Sequence, residues 1–234
     1  MAMKNSWRKI DIAVKKELTE NAGLNNFLSP FFDSEVDRKK FIKRCLVKLK
    51  TRRMLLRTQW YAEIADGLNV VRSSRPALQI IFLMSLAEGV ARLRTGVLDD
   101  DSVGSRKMIH NFFEFATTED KKLLAQKFQR ALISVKHHKL RFSSAVNILY
   151  NIRNKAVHGD DFYSFSLLDE QRKKEYINEG YTHYGVMTTG LLGKKKKRRV
   201  SLDISLTYIE LRNIIVRTAL ENMHGLFNDK SIKF

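Results

Sequence analysis

Only two prolines, Pro30 and Pro76, and eleven glycines interrupt 234 residues. Proline removes a backbone donor and glycine loosens the chain, so a sequence poor in both is free to run in long helices. Between the breaks, apolar residues recur at helical spacing. Phe41, Ile42, Cys45, Leu46 and Leu49 form one such series, and Leu56, Trp60 and Ile64 continue it at intervals of four. The segment Ala77–Ala87 is apolar except for Gln79 and Ser85, too short to span a bilayer, and reads as a buried central helix. The expected fold class is mainly α, and an apolar fraction of 44% is enough for a packed core.

The punctuation places the elements. Residues 5–20 read as a short amphipathic helix, and 21–30 as a connection. Ser34 is a reasonable N-cap, with Glu35 and Asp37 in the first turn of a helix running to about Asp66. Gly67 and Arg72–Arg75 form the next break. Pro76 suits the start of a helix ending near Leu93, with Ser73 or Ser74 as its cap. Helices are expected at about 105–116, capped by Asp101 or Ser102, and 118–135. Another starts at Ser143 or Ser144, with Val146, Leu149 and Tyr150 packing inward. After it, 162–176 reads as loop then helix, and a final helix over 206–226 closes the bundle. Val200–Leu206 differs, because it alternates strictly and predicts a strand. His183–Thr188 is its expected partner, giving a small β-hairpin insert over about 181–206.

Charge narrows the partners. Lys and Arg number 43 against 25 Asp and Glu, a net +18. Such a field suits a polyanion, either nucleic acid or an anionic membrane surface. Bases crowd residues 38–57, where Lys43, Arg44, Arg52 and Arg53 are candidate RNA-backbone contacts. A solvated helix face is the other reading of that stripe. On the hairpin tip, Lys194, Lys195, Lys196, Lys197, Arg198 and Arg199 are consecutive. They read as an RNA grip, a nuclear-import signal or a tip with no partner. No apolar anchor accompanies the basic face, so no membrane partner is expected.

Cys45 is the single cysteine, which excludes an intrachain disulfide and a cysteine zinc cluster and fits a reducing, cytoplasmic setting. Asp99-Asp100-Asp101 are too close in sequence to converge on one ion, and His137-His138 point apart. Neither a metal nor another cofactor is expected.

The remaining chemistry lies in Ile152-Arg153-Asn154-Lys155-Ala156-Val157-His158-Gly159. Arg binds phosphate oxygens in a fork and His moves protons near neutral pH. In an intact helix Arg153 and His158 point about 140° apart, and fraying before Gly159 would let His158 swing back. The same residues also suit a helix C-terminus, where the dipole favours bases and Gly159 is a plausible C′ residue. An apolar helix ending in Arg-Asn followed by His resembles the R-x4-6-H motif of the HEPN superfamily. The resemblance covers roughly Pro76 to Phe227. It implies a HEPN-like helical domain over 74–234, preceded by a basic helical N-terminal extension over 1–73.

The resemblance also implies a metal-independent endoribonuclease. His158 would be the general acid or base, Arg153 would bind the phosphate, and Asn154 would orient either. Apart from the resemblance, Glu88 is a carboxylate near the end of an apolar helix and wants a basic partner, either Arg153, whose guanidinium it would orient, or Arg92. By the resemblance, RNA would be the substrate, and a homodimer would place two motifs at the two-fold interface. A toxin or phage-defence role with an antitoxin or other regulatory protein fits such domains. A non-catalytic RNA-binding adaptor is the alternative.

Overall fold

In the computed structural model the Ser34 Oγ accepts the Asp37 amide at 3.1 Å and starts a helix where the sequence places one. The structure describes residues 15–71, 76–97, 102–131, 138–139, 141–158, 167, 184–187 and 200–227. The expected caps at Ser73, Ser74 and Asp101, the acidic turn, the 162–176 helix and the Lys194–Arg199 run lie outside them. Within α-helical residues 15–20 (α1), Ala22–Leu28 (α2), Glu35–Val47 (α3) and Leu49–Val71 (α4), two expectations change.

First, residues 22–28 are helical rather than a connection. Asn21 caps them by accepting from the Leu24 amide at 2.8 Å, and a 3-10 turn over Ser29–Phe31 follows. Second, the long helix after Ser34 is broken at Lys48, which is extended (φ −104, ψ 135). The Thr51 hydroxyl takes up the Cys45 carbonyl at 2.6 Å, so the break leaves that acceptor paired. Gly67 does not end α4, which runs on to Val71.

The break resets the helical register. Thr51, Met54, Leu55, Thr58, Ala62 and Ala65 form the buried stripe of α4, while Leu56 and Trp60 face solvent. The Thr58 hydroxyl is satisfied by the Met54 carbonyl at 2.7 Å, which lets a polar residue occupy a core position.

Pro76–Thr95 (α5) is the central helix. Ile80, Leu83, Met84, Leu86, Ala87 and Val90 are fully buried on it. It packs against α4, against Ser105–Phe113 (α6), against Phe142–His158 (α8) and against Tyr208–Phe227 (α9). Gly104 takes the N-cap position of α6, two or three residues past the expected caps. In α9 Ile209 is half exposed, so the inward stripe begins at Leu211. One continuous core joins Leu24, Phe41, Ile80, Phe112, Val146 and Ile214, so residues on both sides of position 73 share it.

Thr118–Lys127 (α7) is shorter than expected. At Phe128 the chain becomes a strand, Phe128–Ala131 (β1). His138–Lys139 (β2), Tyr184–Met187 (β3) and Val200–Ile204 (β4) complete a four-stranded sheet in the order β2-β1-β4-β3. All pairings are antiparallel, with Arg130 opposite Leu202 and Val186 opposite Ser201. The alternating segment therefore pairs on both edges instead of standing in a lone hairpin.

Among the described residues three ion pairs clamp α9 to the rest, one of them Lys127 Nζ to Glu210 Oε1 at 3.0 Å. Asp120 of α7, almost wholly buried, is held bidentately by Arg217, with Nε to Oδ2 at 3.0 Å. Asp66 of α4 accepts from Arg212 Nε at 2.9 Å and from the Tyr208 hydroxyl at 2.6 Å.

Candidate functional site

The motif helix α8 stays helical through His158. The condition that would bring His158 back to Arg153 is therefore not met. An unbroken helix sets positions 153 and 158 about 140° apart. The His158 side chain lies outside what the structure describes.

Arg153 is fixed by two neighbours. Its Nη1 donates to Asn154 Oδ1 at 3.0 Å and its Nη2 to Glu88 Oε2 at 3.4 Å. Its Nε is buried and unpaired among the described residues. Guanidinium carries five N–H groups, so one hydrogen on each terminal nitrogen stays unassigned.

Glu88 meets both of its expected partners at once. Oε1 accepts from Arg92 Nε at 3.0 Å and from the Ser105 hydroxyl at 2.8 Å, while Oε2 faces Arg153. Arg92 also donates to the Val97 and Val103 carbonyls, tying the end of α5 to the approach to α6. One carboxylate between two guanidiniums leaves a net positive charge. The three side chains are 13–21% exposed, a setting in which charge is screened less than at an open surface.

The polar seam continues along α6 and α8. Asn147 Oδ1 accepts from Arg106 Nε at 2.9 Å and lies 2.9 Å from His110 Nε2. The arginine already donates to that oxygen, and the ring nitrogen adds a second contact to it. Sequence reasoning missed Ser105, Arg106, His110 and Asn147. The available signal was three asparagines in α8, at 147, 151 and 154, the first two inside the otherwise apolar run 145–152. Asn competes with helical backbone bonding, so its repetition there asks for a use.

The basic candidates do not form one stripe. Lys43 and Arg44 are exposed on α3, beside exposed Val36 and Val47. Arg44 also lies 5.8 Å from the Phe227 ring centroid. Arg52 and Arg53 follow the break on α4, where Arg52 is half-buried and Arg53 exposed. Lys48 and Lys50 turn to backbone, donating to the Leu226 and Arg94 carbonyls at 3.0 and 3.4 Å. Cations at the ends of α9 and α5 complement the negative helix termini.

Comparison with protein-family models, curated proteins and solved structures returns no match. The reading of the site rests on its own residues. Among the described residues no helix is long and apolar enough to cross a membrane.

Proposed function

We propose that this chain is a HEPN-type endoribonuclease that cleaves RNA without a metal. The supporting observation is the half-buried, net-positive cluster of Glu88, Arg92 and Arg153, in which Arg153 is held by Glu88 and Asn154. A guanidinium oriented in advance needs no reorganisation when charge develops on a phosphate. In the proposed reaction the RNA 2′-oxygen bonds to the adjacent phosphorus and the bond to the 5′-oxygen breaks. His158 moves the protons, taking one from the 2′-hydroxyl or giving one to the leaving 5′-oxygen. The products are a 2′,3′-cyclic phosphate and a 5′-hydroxyl.

A C2 homodimer completes this reading. On an unbroken helix positions 153 and 158 are about 140° apart, so in this reading a second copy supplies the facing motif. Val157, four residues after Arg153 and half exposed, places an apolar residue beside the proposed interface. Lys194–Arg199 and the α3 bases Lys43 and Arg44 would hold the RNA backbone. A toxin or defence effector in the cytoplasm, restrained by an antitoxin, is the biological setting proposed.

One observation favours the second reading, an RNA-binding adaptor without activity. Both terminal nitrogens of Arg153 already have protein partners, as a purely structural arginine would. Labelled single-stranded RNA in excess EDTA separates the two. Cleavage by the wild type that ends in cyclic phosphate and is lost in His158→Ala and Arg153→Ala supports the nuclease. RNA binding without cleavage, equal in all three proteins, supports the adaptor. Cleavage that persists in His158→Ala overturns the proposed chemistry.

A further inference from the structure

The register reset in α4 leaves an aromatic residue where it has no role in the core. Trp60 is 62% exposed and Leu56 37% exposed. Arg53, Leu56, Arg57, Trp60 and Glu63 follow the i, i+3, i+4, i+7, i+10 spacing of a single helix face. With Gln59 and Leu93 they line an open groove of about 620 Å³ between α4 and α5. That is within the range of small-ligand clefts, which run roughly 300–1,000 Å³.

The groove is chemically organised. Trp60 meets Tyr61 edge-on, with ring centroids 5.4 Å apart at 74°. The Tyr61 ring is taken by Arg57, whose guanidinium carbon is 5.5 Å from its centroid. Among the described residues no other ring and no cation covers Trp60. Arg53, exposed at the rim, has no ion-pair partner among the described residues. At the far end Gln59 Nε2 donates to Glu63 Oε1 at 2.8 Å, leaving the other carboxylate oxygen to accept from a base edge.

We propose that this groove binds a single-stranded polynucleotide, with one unpaired base stacked on Trp60 and flanking phosphates on Arg53 and Arg57. An exposed indole beside cations is the combination that single-strand binding uses, since every base has a face to stack. Charge decides the occupant. A chain carrying +18 attracts a polyanion, and at this groove a second copy of the same face would set Arg53 and Arg57 against like charges. The groove and the Arg153 cluster also share one six-residue stretch of α5: Gly89 and Leu93 face α4, while Glu88 and Arg92 face the cluster. The groove proposal does not depend on cleavage.

The test uses dT12, which lacks the 2′-hydroxyl and so cannot be cut by the mechanism above. A failure of the groove and a failure of the nuclease reading are then read separately. The chain has two tryptophans, so Trp7→Phe leaves Trp60 as the sole reporter. Addition of dT12 is expected to quench its emission. Trp60→Ala should weaken dT12 binding about tenfold, and Trp60→Phe should retain most of it. Arg53→Ala should lower the salt dependence by about one phosphate contact. Unchanged emission at saturating dT12, or a Trp60→Ala protein that binds as tightly as wild type, overturns the proposal. So does a Trp60→Ala protein whose only change is a smaller sedimenting species, which would make a second copy the occupant.

Discussion

Arg57 of α4 lies across Gly89 of α5, so closely that a Cβ on Gly89 would stand 2.7 Å from Arg57 Nη1 and 2.9 Å from its Cδ. The glycine is there for space, and the arginine it admits is the one held on Tyr61. In a helix interior, alanine is more stable than glycine by roughly 1 kcal/mol. Gly89→Ala should show that gain only in an Arg57→Ala background. In the wild type it must displace Arg57, and the gain should vanish. Urea unfolding of the double-mutant cycle should give a coupling of about 1 kcal/mol. Equal effects in both backgrounds would mean that Arg57 does not occupy this place.

Glu88 is the shared counter-charge of Arg92 and Arg153. Glu88→Ala leaves two half-buried guanidiniums facing each other and strands the Ser105 hydroxyl. The expected loss is roughly 3 kcal/mol. For a chain of this size that lowers the thermal midpoint by about 6–12 °C, readable by circular dichroism. Glu88→Gln keeps the shape and should fall between. An unchanged midpoint in Glu88→Ala would show that the cluster contributes nothing to stability.

Tyr208 gives a pH signature. Burial, then its hydrogen bond to Asp66 and the Asp66 charge, hold its hydroxyl well above the ordinary tyrosine range. The folded state therefore keeps a proton that the unfolded state releases near pH 10. This contribution is fully present below about pH 10 and is lost as pH rises above it. Tyr208→Phe should lower stability at neutral pH by about 1 kcal/mol, through the lost hydrogen bond. Its stability should then fall less steeply than the wild type's between about pH 10 and 11. Parallel alkaline profiles for the two proteins would count against this role.

Cys45 is fully buried, 3.8 Å from Met223 Sδ, and burial pushes its thiol pKa up. A thiolate is the reactive form, so the native protein should resist modification by a disulfide reagent. Labelling should track unfolding in urea. Immediate labelling of the native protein would show that α3 and α9 separate readily.

Helix class and centre were legible because their signals are local. Ser34 caps its helix, and the uninterrupted apolar run of α5 occupies the middle. The α4 face was not legible. Leu56, Trp60 and Ile64 mimic a core stripe, while the true one uses two threonines and two alanines and depends on the turn at Lys48. The strand at Phe128 was hidden because its partner, Val200–Ile204, lies far along the chain and local pattern carries no trace of it. At the site, Glu88 stood out as a carboxylate in an apolar helix. Ser105, Arg106 and His110 did not, because their use depends on which helix lies opposite.

The contacts between α3 and α9 join residues 178 positions apart, through Cys45 with Met223 and Lys48 with the Leu226 carbonyl. Glu88 and Arg153 are separated by 65. During synthesis the arginine cluster and the packing of α4 on α5 can therefore form before α9 emerges, whereas the face of α3 that meets α9 must wait. Closing a long loop is slow, and exposed apolar helix faces are what chaperones hold. The side of the core between α3 and α9 is thus closed late, only once α9 has arrived to cover Cys45.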